Sequence, residues 1–513
     1  MEGTREGYWL ADLESRLKLP SGVFPFLYNQ VSASLPAVQP TGDPPPASDG
    51  QNNVPRPPAS SWLQPIVLAP IAAAVLIMLG IAGWLIVPKL RDQFKGSRTP
   101  PARTETPKTP TNHDTPGLPS RQTPQSPEGS PSSTIKVPSQ VATLTKAIEL
   151  CKEGGTIELG GGTYPENIRF TKSVALIANP SAVIVDRGLG TNLIIARGPV
   201  KVTLRNIQIV NTTEETKSSH DESPALVLVS DSAHLTLDGC VIEGSVGNGI
   251  TLTDKASASF SNCRIRGNLA WGINVKSAAS VDVSLSDILR NGRSGITLAN
   301  VGSVVTLGKG CNISENSLNG VEVLEGAKLQ CDGVDIKNNR KAGVAIVGSG
   351  SLANLEANCR ISNNGTHGIA IQHSGVARLR DATVEENKEN GLWAGKMPAD
   401  AYSGEGCRAG IVSSKFASNG LCGVFFDDGK SANLKLEKSG FKNHSQCGIA
   451  VSGGSGTVED CKFTDNGTAI LFGDGVSGAI TNNTIRPGPI ESAVILDKAG
   501  EVSLQNNTVD PTP

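Results

Sequence analysis

From Ala225 onward the chain keeps returning to one phrase: a glycine, an aliphatic residue, a variable residue and a second aliphatic, usually four residues behind an asparagine. The repeat glycines are 249, 272, 295, 320, 343, 368, 391, 423 and 448, so the steps are 23, 23, 25, 23, 25, 23, 32 and 25 residues. A fixed period of this size requires a solenoid, in which each unit buries its apolar face on its neighbours. Each repeat holds three short alternating runs between turns, such as 256–263, 264–268 and 272–275. Three strands in that length leave no room for crossover helices. The chain must therefore wind, with every strand pairing in parallel with its copy one turn on. About 14 such turns at a spacing of about 4.8 Å give a rod about 65 Å long. A leucine-rich repeat has a similar period but one strand and a tight run of leucines per unit, whereas Leu does not dominate here.

Two columns follow from the period. Asn268, Asn291, Asn316, Asn339, Asn364, Asn387 and Asn419 each stand four residues before a repeat glycine. Stacked in one turn, their amides are expected to bond along the rod and to the turn backbone, and Asn tolerates the left-handed conformation such a bend needs. Nine residues before each glycine stand Cys240, Cys263, Ser286, Cys311, Val334, Cys359, Ala382, Ser414 and Ser439. A slot shared by Cys, Ser, Val and Ala is a small inward position, which predicts buried free thiols and not a disulfide framework. Cys422 and Cys447 share one slot in consecutive coils, where a bridge is geometrically conceivable.

The rest of the chain differs in composition. Proline concentrates before residue 140 and glycine after 150. Residues 1–60 read as a largely disordered tail. Residues 61–90 read as a transmembrane helix: the uncharged run Ile66–Val87, at 1.5 Å per residue, is about 33 Å long. Trp62 and Trp84 suit the two interfaces. Residues 91–133 form a Pro/Thr/Ser-rich stalk and 134–513 the β-helix. Lys89, Arg91, Lys95 and Arg98 crowd the C-terminal flank of the span, which by charge alone favours a cytoplasmic rod; the extended stalk favours an external one. We expect the rod outside the cytoplasm. At its start a capping helix is expected, with Ser139 as N-cap, Val141, Leu144, Ile148 and Cys151 on one face, and Gly154–Gly155 as the stop.

From about 134 to 510 the chain resembles the right-handed parallel β-helix repeat proteins of the pectate-lyase-like superfamily. The resemblance is carried by the opening IKVPSQVATLTKAIELCKEGGTIELGGGTYPENIRFTKSVALIA and by the Asn-Gly-[Ile/Val]-x-[Val/Ile/Leu] phrase. It implies an all-β rod and a relation to carbohydrate-binding or sugar-hydrolysing branches. A lyase of that kind needs an acidic Ca²⁺ cluster with an Arg or Lys base, and a hydrolase needs carboxylates facing the scissile bond. The outward column of the glycine strand reads Thr251, Asn274, Thr297, Glu322, Ala345, Ala370, Trp393, Phe425, Ala450, with no carboxylates on adjacent coils. The second strand's outward column, Val241, Arg264, Asp287, Asn312, Asp335, Arg360, Thr383, Lys415, reads as a mixed-charge solvated face. His367 with Asp427–Asp428 echoes motifs of galacturonan hydrolases, but in reversed order and without their companions. His367 and Asp428 are expected to be turn residues.

The irregular 32-residue step supplies the candidate site. It inserts about nine residues around 396–407, beside Trp393 and Phe425, with Tyr402 on the insertion. In a chain with 4% aromatics, these rings with Gln372, Lys396 and Asp427 suit a sugar face, where C–H bonds stack on rings and polar groups fix hydroxyls. The competing expectation is that the insertion merely covers the rings. No catalytic set, metal site or cofactor motif is evident, and the six His have no metal-ligand spacing. A net charge of −2 argues against nucleic acid as partner. The expected function is a membrane-anchored binding or structural module for a polysaccharide or other cell-surface ligand. The alternatives are a polysaccharide lyase, hydrolase or epimerase, or the sensor domain of a membrane signalling system.

Overall fold

The computed structural model describes residues 132–186, 192–211, 224–395, 406–427, 429 and 431–510. The expected tail and transmembrane helix, and the stalk apart from Ser132 and Ser133 in the first strand, lie outside the described residues. Among the described residues no helix is long and apolar enough to cross a membrane.

Three parallel sheets wind around one core. In the coil of residues 248–266 the strands are Asn248–Leu252, Ser257–Ser261 and Arg264–Arg266, which we assign to sheets A, B and C. Each pairs in register with its equivalent one coil on: Ile250 with Ile273, Ala258 with Val281, Ile265 with Ile288. Sheet A runs through fourteen such strands, from Ile168–Phe170 to the C-terminal half of Thr484–Leu496. Alternate side chains point inward and stack like on like. In sheet C the inward column is Ile242, Ile265, Ile288, Ile313, Ile336, Ile361, Val384, Phe416, Phe441 and Phe463, all buried. Phe416, Phe441 and Phe463 stack at 5.1 Å between centroids.

The asparagine ladder forms at the corner from sheet C to sheet A. Asn268 Nδ2 donates to Asn291 Oδ1 at 2.9 Å, and the same bond repeats through Asn316, Asn339, Asn364, Asn387 and Asn419 at 2.9–3.1 Å. Each oxygen also accepts the backbone N–H of the preceding ladder residue. From Asn291 onward each Nδ2 also reaches a backbone carbonyl, Ile288 for Asn316. In the next coil His444 takes the slot: its Nδ1 accepts from Asn419 N–H at 3.2 Å, and its own N–H donates to Asn466 Oδ1.

The expectation that ladder asparagines adopt the left-handed conformation is corrected. That conformation belongs to the residue just before each, namely Gly267, Arg290, Glu315, Asn338, Asn363, Glu386 and Ser418. Each ladder side chain from Asn291 to Asn387 is held by four hydrogen bonds, and the bend is made one position earlier. Nor do the repeat glycines serve to supply positive φ. A Cβ on Gly320 would lie 2.6 Å from the Gly343 carbonyl oxygen, 2.6 Å from Ile336 Cγ2 and 2.9 Å from Asn339 Nδ2. Glycine is required there because ladder, backbone and core converge on that point.

All ten cysteines are free, nine of them buried. In the small slot Ser286, Ser414 and Ser439 accept a backbone N–H from the preceding coil. The helix near the start, α1, spans Leu144–Leu150 and packs on the first strands. Its N-cap is Thr143 and not Ser139, because residues 136–141 close a turn onto the Lys136 carbonyl. Glu166 also accepts the N–H groups of Leu144 and Thr145 at 2.8 and 3.0 Å. The helix ends at Leu150, and Gly154 and Gly155 lie within the strand Cys151–Leu159, not at a helix stop.

Candidate functional site

The outward column of sheet A runs in the order read from the sequence: Thr251, Asn274, Thr297, Glu322, Ala345, Ala370, Trp393, Phe425 and Ala450 are successive register partners. Trp393 and Phe425 are therefore side by side on neighbouring coils, both half-buried. Alanines 345 and 370 below and 450 above leave the two rings as the only large side chains on this stretch of the column. Glu322, the one carboxylate of the column, accepts from Asn319 Nδ2 at 2.7 Å.

Trp393 is fixed from two sides. Its indole stacks on the His367 imidazole, with centroids 5.2 Å apart and planes 11° from parallel. It also lies back over Gly395, where a Cβ would meet Cζ2 at 2.7 Å. Gly395 is the register partner of Asp427, and Gln372 precedes Gly395 in the same column. Half-buried Gln372 and exposed Asp427 thus stand on the coils either side of Gly395, over which the indole lies. The chain brings together Trp393, Phe425, Gln372 and Asp427. Lys396 and Tyr402 lie outside the described residues, as does Asp428.

His367 is a turn residue, as expected, yet it is also part of this site. Its Nδ1 faces the Asn390 backbone N–H at 3.4 Å, so the remaining proton sits on Nε2, 3.3 Å from Glu389 Oε2. Burial lowers the imidazole pKa to about 4, while desolvation raises that of Glu389. The ring is neutral at ordinary pH and offers a flat partner for the indole. A weak signal for this contact existed in the sequence: His367 stands three residues before Ala370, the partner of Trp393.

The residue before each repeat glycine forms a further ladder that sequence reading missed. Asn248, Ser294, Asn319, His367 and Asn390 each present an acceptor to the backbone N–H of the next coil. Its polarity is opposite to that of the asparagine ladder, in which the earlier coil donates. Two coils beyond His367 the column reaches Cys422 and Cys447, which are register partners. Interaction between the thiols raises the pKa of buried Cys422 and lowers that of half-exposed Cys447. Among the described residues no three His, Cys, Asp or Glu side chains group so as to hold a metal ion.

Comparison with protein families matches the chain to the family described as "right handed beta helix region" over residues 194–358 and 409–512, together just over half of its length. Among solved structures, the A-module of mannuronan C-5 epimerase AlgE6 from Azotobacter vinelandii is 13% identical, with a TM-score of 0.37 over 70% of this chain and 92% of that one. A mutant of the periplasmic alginate epimerase AlgG gives 11%, 0.39, 69% and 77%. The catalytic unit of a GH87 alpha-1,3-glucanase from Streptomyces thermodiastaticus gives 13%, 0.38, 74% and 69%. Comparison with the curated proteins gave no match.

Proposed function

The chain belongs to the right-handed β-helix family, a scaffold that fixes the spacing of side chains but not their chemistry, and from that premise we propose that it is a membrane-anchored polysaccharide-binding module. One observation carries the reading: Trp393 and Phe425 stand in register on adjacent coils, half-exposed, with the indole braced on His367 and bordered by Gln372 and Asp427. Two half-exposed rings on neighbouring coils, about 4.8 Å apart, offer apolar surface against which the C–H bonds of a sugar can pack. The polar pair beside them can take hydroxyl hydrogen bonds. The apolar run Ile66–Val87 would anchor the chain and the Pro/Thr/Ser stalk would hold the rod off the membrane, outside the cytoplasm.

The test is binding of the full chain to a polysaccharide panel. Trp393→Ala is expected to weaken binding to the preferred polymer by about tenfold, or about 1.4 kcal/mol, and Trp393→Phe by less. Equal binding by a folded Trp393→Ala protein would assign the ring to packing alone. Release of reducing or unsaturated ends from the panel would instead support an enzyme. A reporter fused after Pro513 that is active only in the cytoplasm would overturn the external placement.

A further inference from the structure

Thiols in the small slot turn to backbone carbonyls: Cys240 to Leu204 at 3.3 Å, Cys263 to Ser261 at 3.2 Å and Cys311 to Val283 at 3.4 Å. Cys461 does the same with Glu459 at 3.2 Å. Cys240 and Cys263 stand in one slot on consecutive coils, yet each donates to its own carbonyl. Proximity alone therefore does not turn two thiols toward each other. Cys422 and Cys447 depart from this pattern. They are register partners on sheet A, and their thiols are hydrogen-bonded to each other.

Register partners in a parallel sheet stand about 4.8 Å apart, within the Cα separation of about 4.4–6.8 Å that a disulfide spans. The two segments are already laced here. The Leu421 carbonyl accepts the Gln446 N–H at 2.9 Å, and the Cys422 N–H donates to Asn390 Oδ1 at 3.0 Å. A bond between the sulfurs thus calls for side-chain rotation and not for backbone displacement. Access to the pair is unequal: Cys422 is buried, and Cys447 alone of the ten cysteines is not. Cys422 keeps its proton and shares it with Cys447, which raises the pKa of the first and lowers that of the second. The accessible sulfur is therefore the one favoured as thiolate, the reactive form. Cys331 and Cys359 also meet thiol to thiol, but both are buried.

We propose that Cys422 and Cys447 form a peroxide-reactive dithiol, in which Cys447 meets the oxidant and Cys422 resolves it to a disulfide between two coils. The Cys447 thiolate attacks one oxygen of hydrogen peroxide. The O–O bond breaks and hydroxide leaves, taking up the proton the thiol released, so Cys447 becomes a sulfenic acid and one water forms. The Cys422 sulfur then attacks the Cys447 sulfur. The S–S bond forms, the S–O bond breaks, and the hydroxyl departs with the Cys422 proton as a second water. The two thiols supply the two electrons that the peroxide accepts. The bridge ties the strand Cys422–Asp427, which carries Phe425, to the strand Cys447–Val451. It does not depend on what the aromatic pair binds.

The full chain, reduced and then exposed to hydrogen peroxide, should give on peptide mapping a crosslink between Cys422 and Cys447 that dithiothreitol reverses. Cys331 and Cys359 should remain thiols at the same dose. Cys422→Ser, which places in this slot the residue that Ser294 already supplies there, should form no bridge and leave Cys447 as a dimedone-reactive sulfenic acid. Cys447→Ser should leave Cys422 reduced. The oxidised chain should melt above the reduced one, and Cys422→Ser should lose that shift. The proposal is overturned if Cys447 passes to sulfinic acid while Cys422 stays a thiol, if the bridge joins two copies of the chain, or if Cys331 and Cys359 pair first.

Discussion

The asparagine ladder makes a quantitative claim that one truncation can test. Asn316 is 1% exposed. Its Oδ1 accepts the backbone N–H and the side-chain Nδ2 of Asn291, at 3.1 and 3.0 Å. Its Nδ2 donates to the Ile288 carbonyl at 3.2 Å and to Asn339 Oδ1 at 2.9 Å. Asn316→Ala removes all four bonds, but the partners are not left equal. Asn291 Nδ2 keeps the Ile265 carbonyl, and Asn339 Oδ1 keeps the backbone N–H of residue 316. The Asn291 N–H loses its partner inside the corner, whereas the Ile288 carbonyl stays in the sheet C ladder opposite Asn312–Ser314. One orphaned backbone group at about 1–3 kcal/mol, with three lost amide contacts at about 0.5–1 kcal/mol each, predicts a cost of about 2.5–6 kcal/mol. Guanidinium unfolding of the full chain would measure the total. Because each coil contacts only its neighbours, lost amide-exchange protection should centre on residues 288–342. Asn312→Ala, on the half-exposed face of sheet C, should cost under about 1 kcal/mol. A loss below about 1 kcal/mol for Asn316→Ala, or protection lost evenly along the rod, would refute the ladder as a source of stability.

Acid should loosen the rod through two imidazoles, buried His444 and half-buried His367. His367 and His444 are both lowered to about 4 by burial, from an ordinary 6.5. Between these values the unfolded chain binds more protons, so this contribution is complete above about pH 6.5 and falls as pH drops toward 4, by on the order of 3 kcal/mol per histidine. His444→Asn, which restores the ladder side chain, should flatten the slope; an unchanged pH profile of unfolding would contradict the assignment. Cys447 should be alkylated by iodoacetamide well before the other nine thiols, since it alone is half-exposed and its thiolate is favoured by Cys422. Peptide mapping that finds another cysteine modified first would count against that pairing.

The period alone was enough to give the coils, their register and the order of each outward column, because in a parallel stack a step in sequence is a step along the axis. The reason for the glycines was not legible. A repeated glycine suggests a turn, yet at Gly320 it answers a crowding among Gly343, Ile336 and Asn339 that exists only once three coils are assembled. The ladder through Asn248, Ser294, Asn319, His367 and Asn390 escaped notice for a different reason. Its members share an acceptor atom and not a residue type, so no letter repeats. At the site, counting aligned Trp393 with Phe425, but the His367 stack depends on rotamers across two coils. Lys396 and Tyr402 lie outside the described residues.

The three corners of each coil are unequal, and this says where function can evolve. From sheet C to sheet A every ladder asparagine stands four residues before its glycine, whatever the length of the repeat. An added residue there would break four buried hydrogen bonds per coil. The longer repeats place their extra residues elsewhere. In the coil after Gly295 one is added before Val304 and one before Asn312, as their partners Ser280 and Asp287 show. The nine-residue insertion falls wholly between Gly395 and Arg408, the corner from sheet A to sheet B. That corner lies beside Trp393 at one end and the strand Arg408–Val412 at the other. A ladder that rigidly forbids insertion at one corner thus directs new chain to the others, and the longest addition follows the strand that carries Trp393.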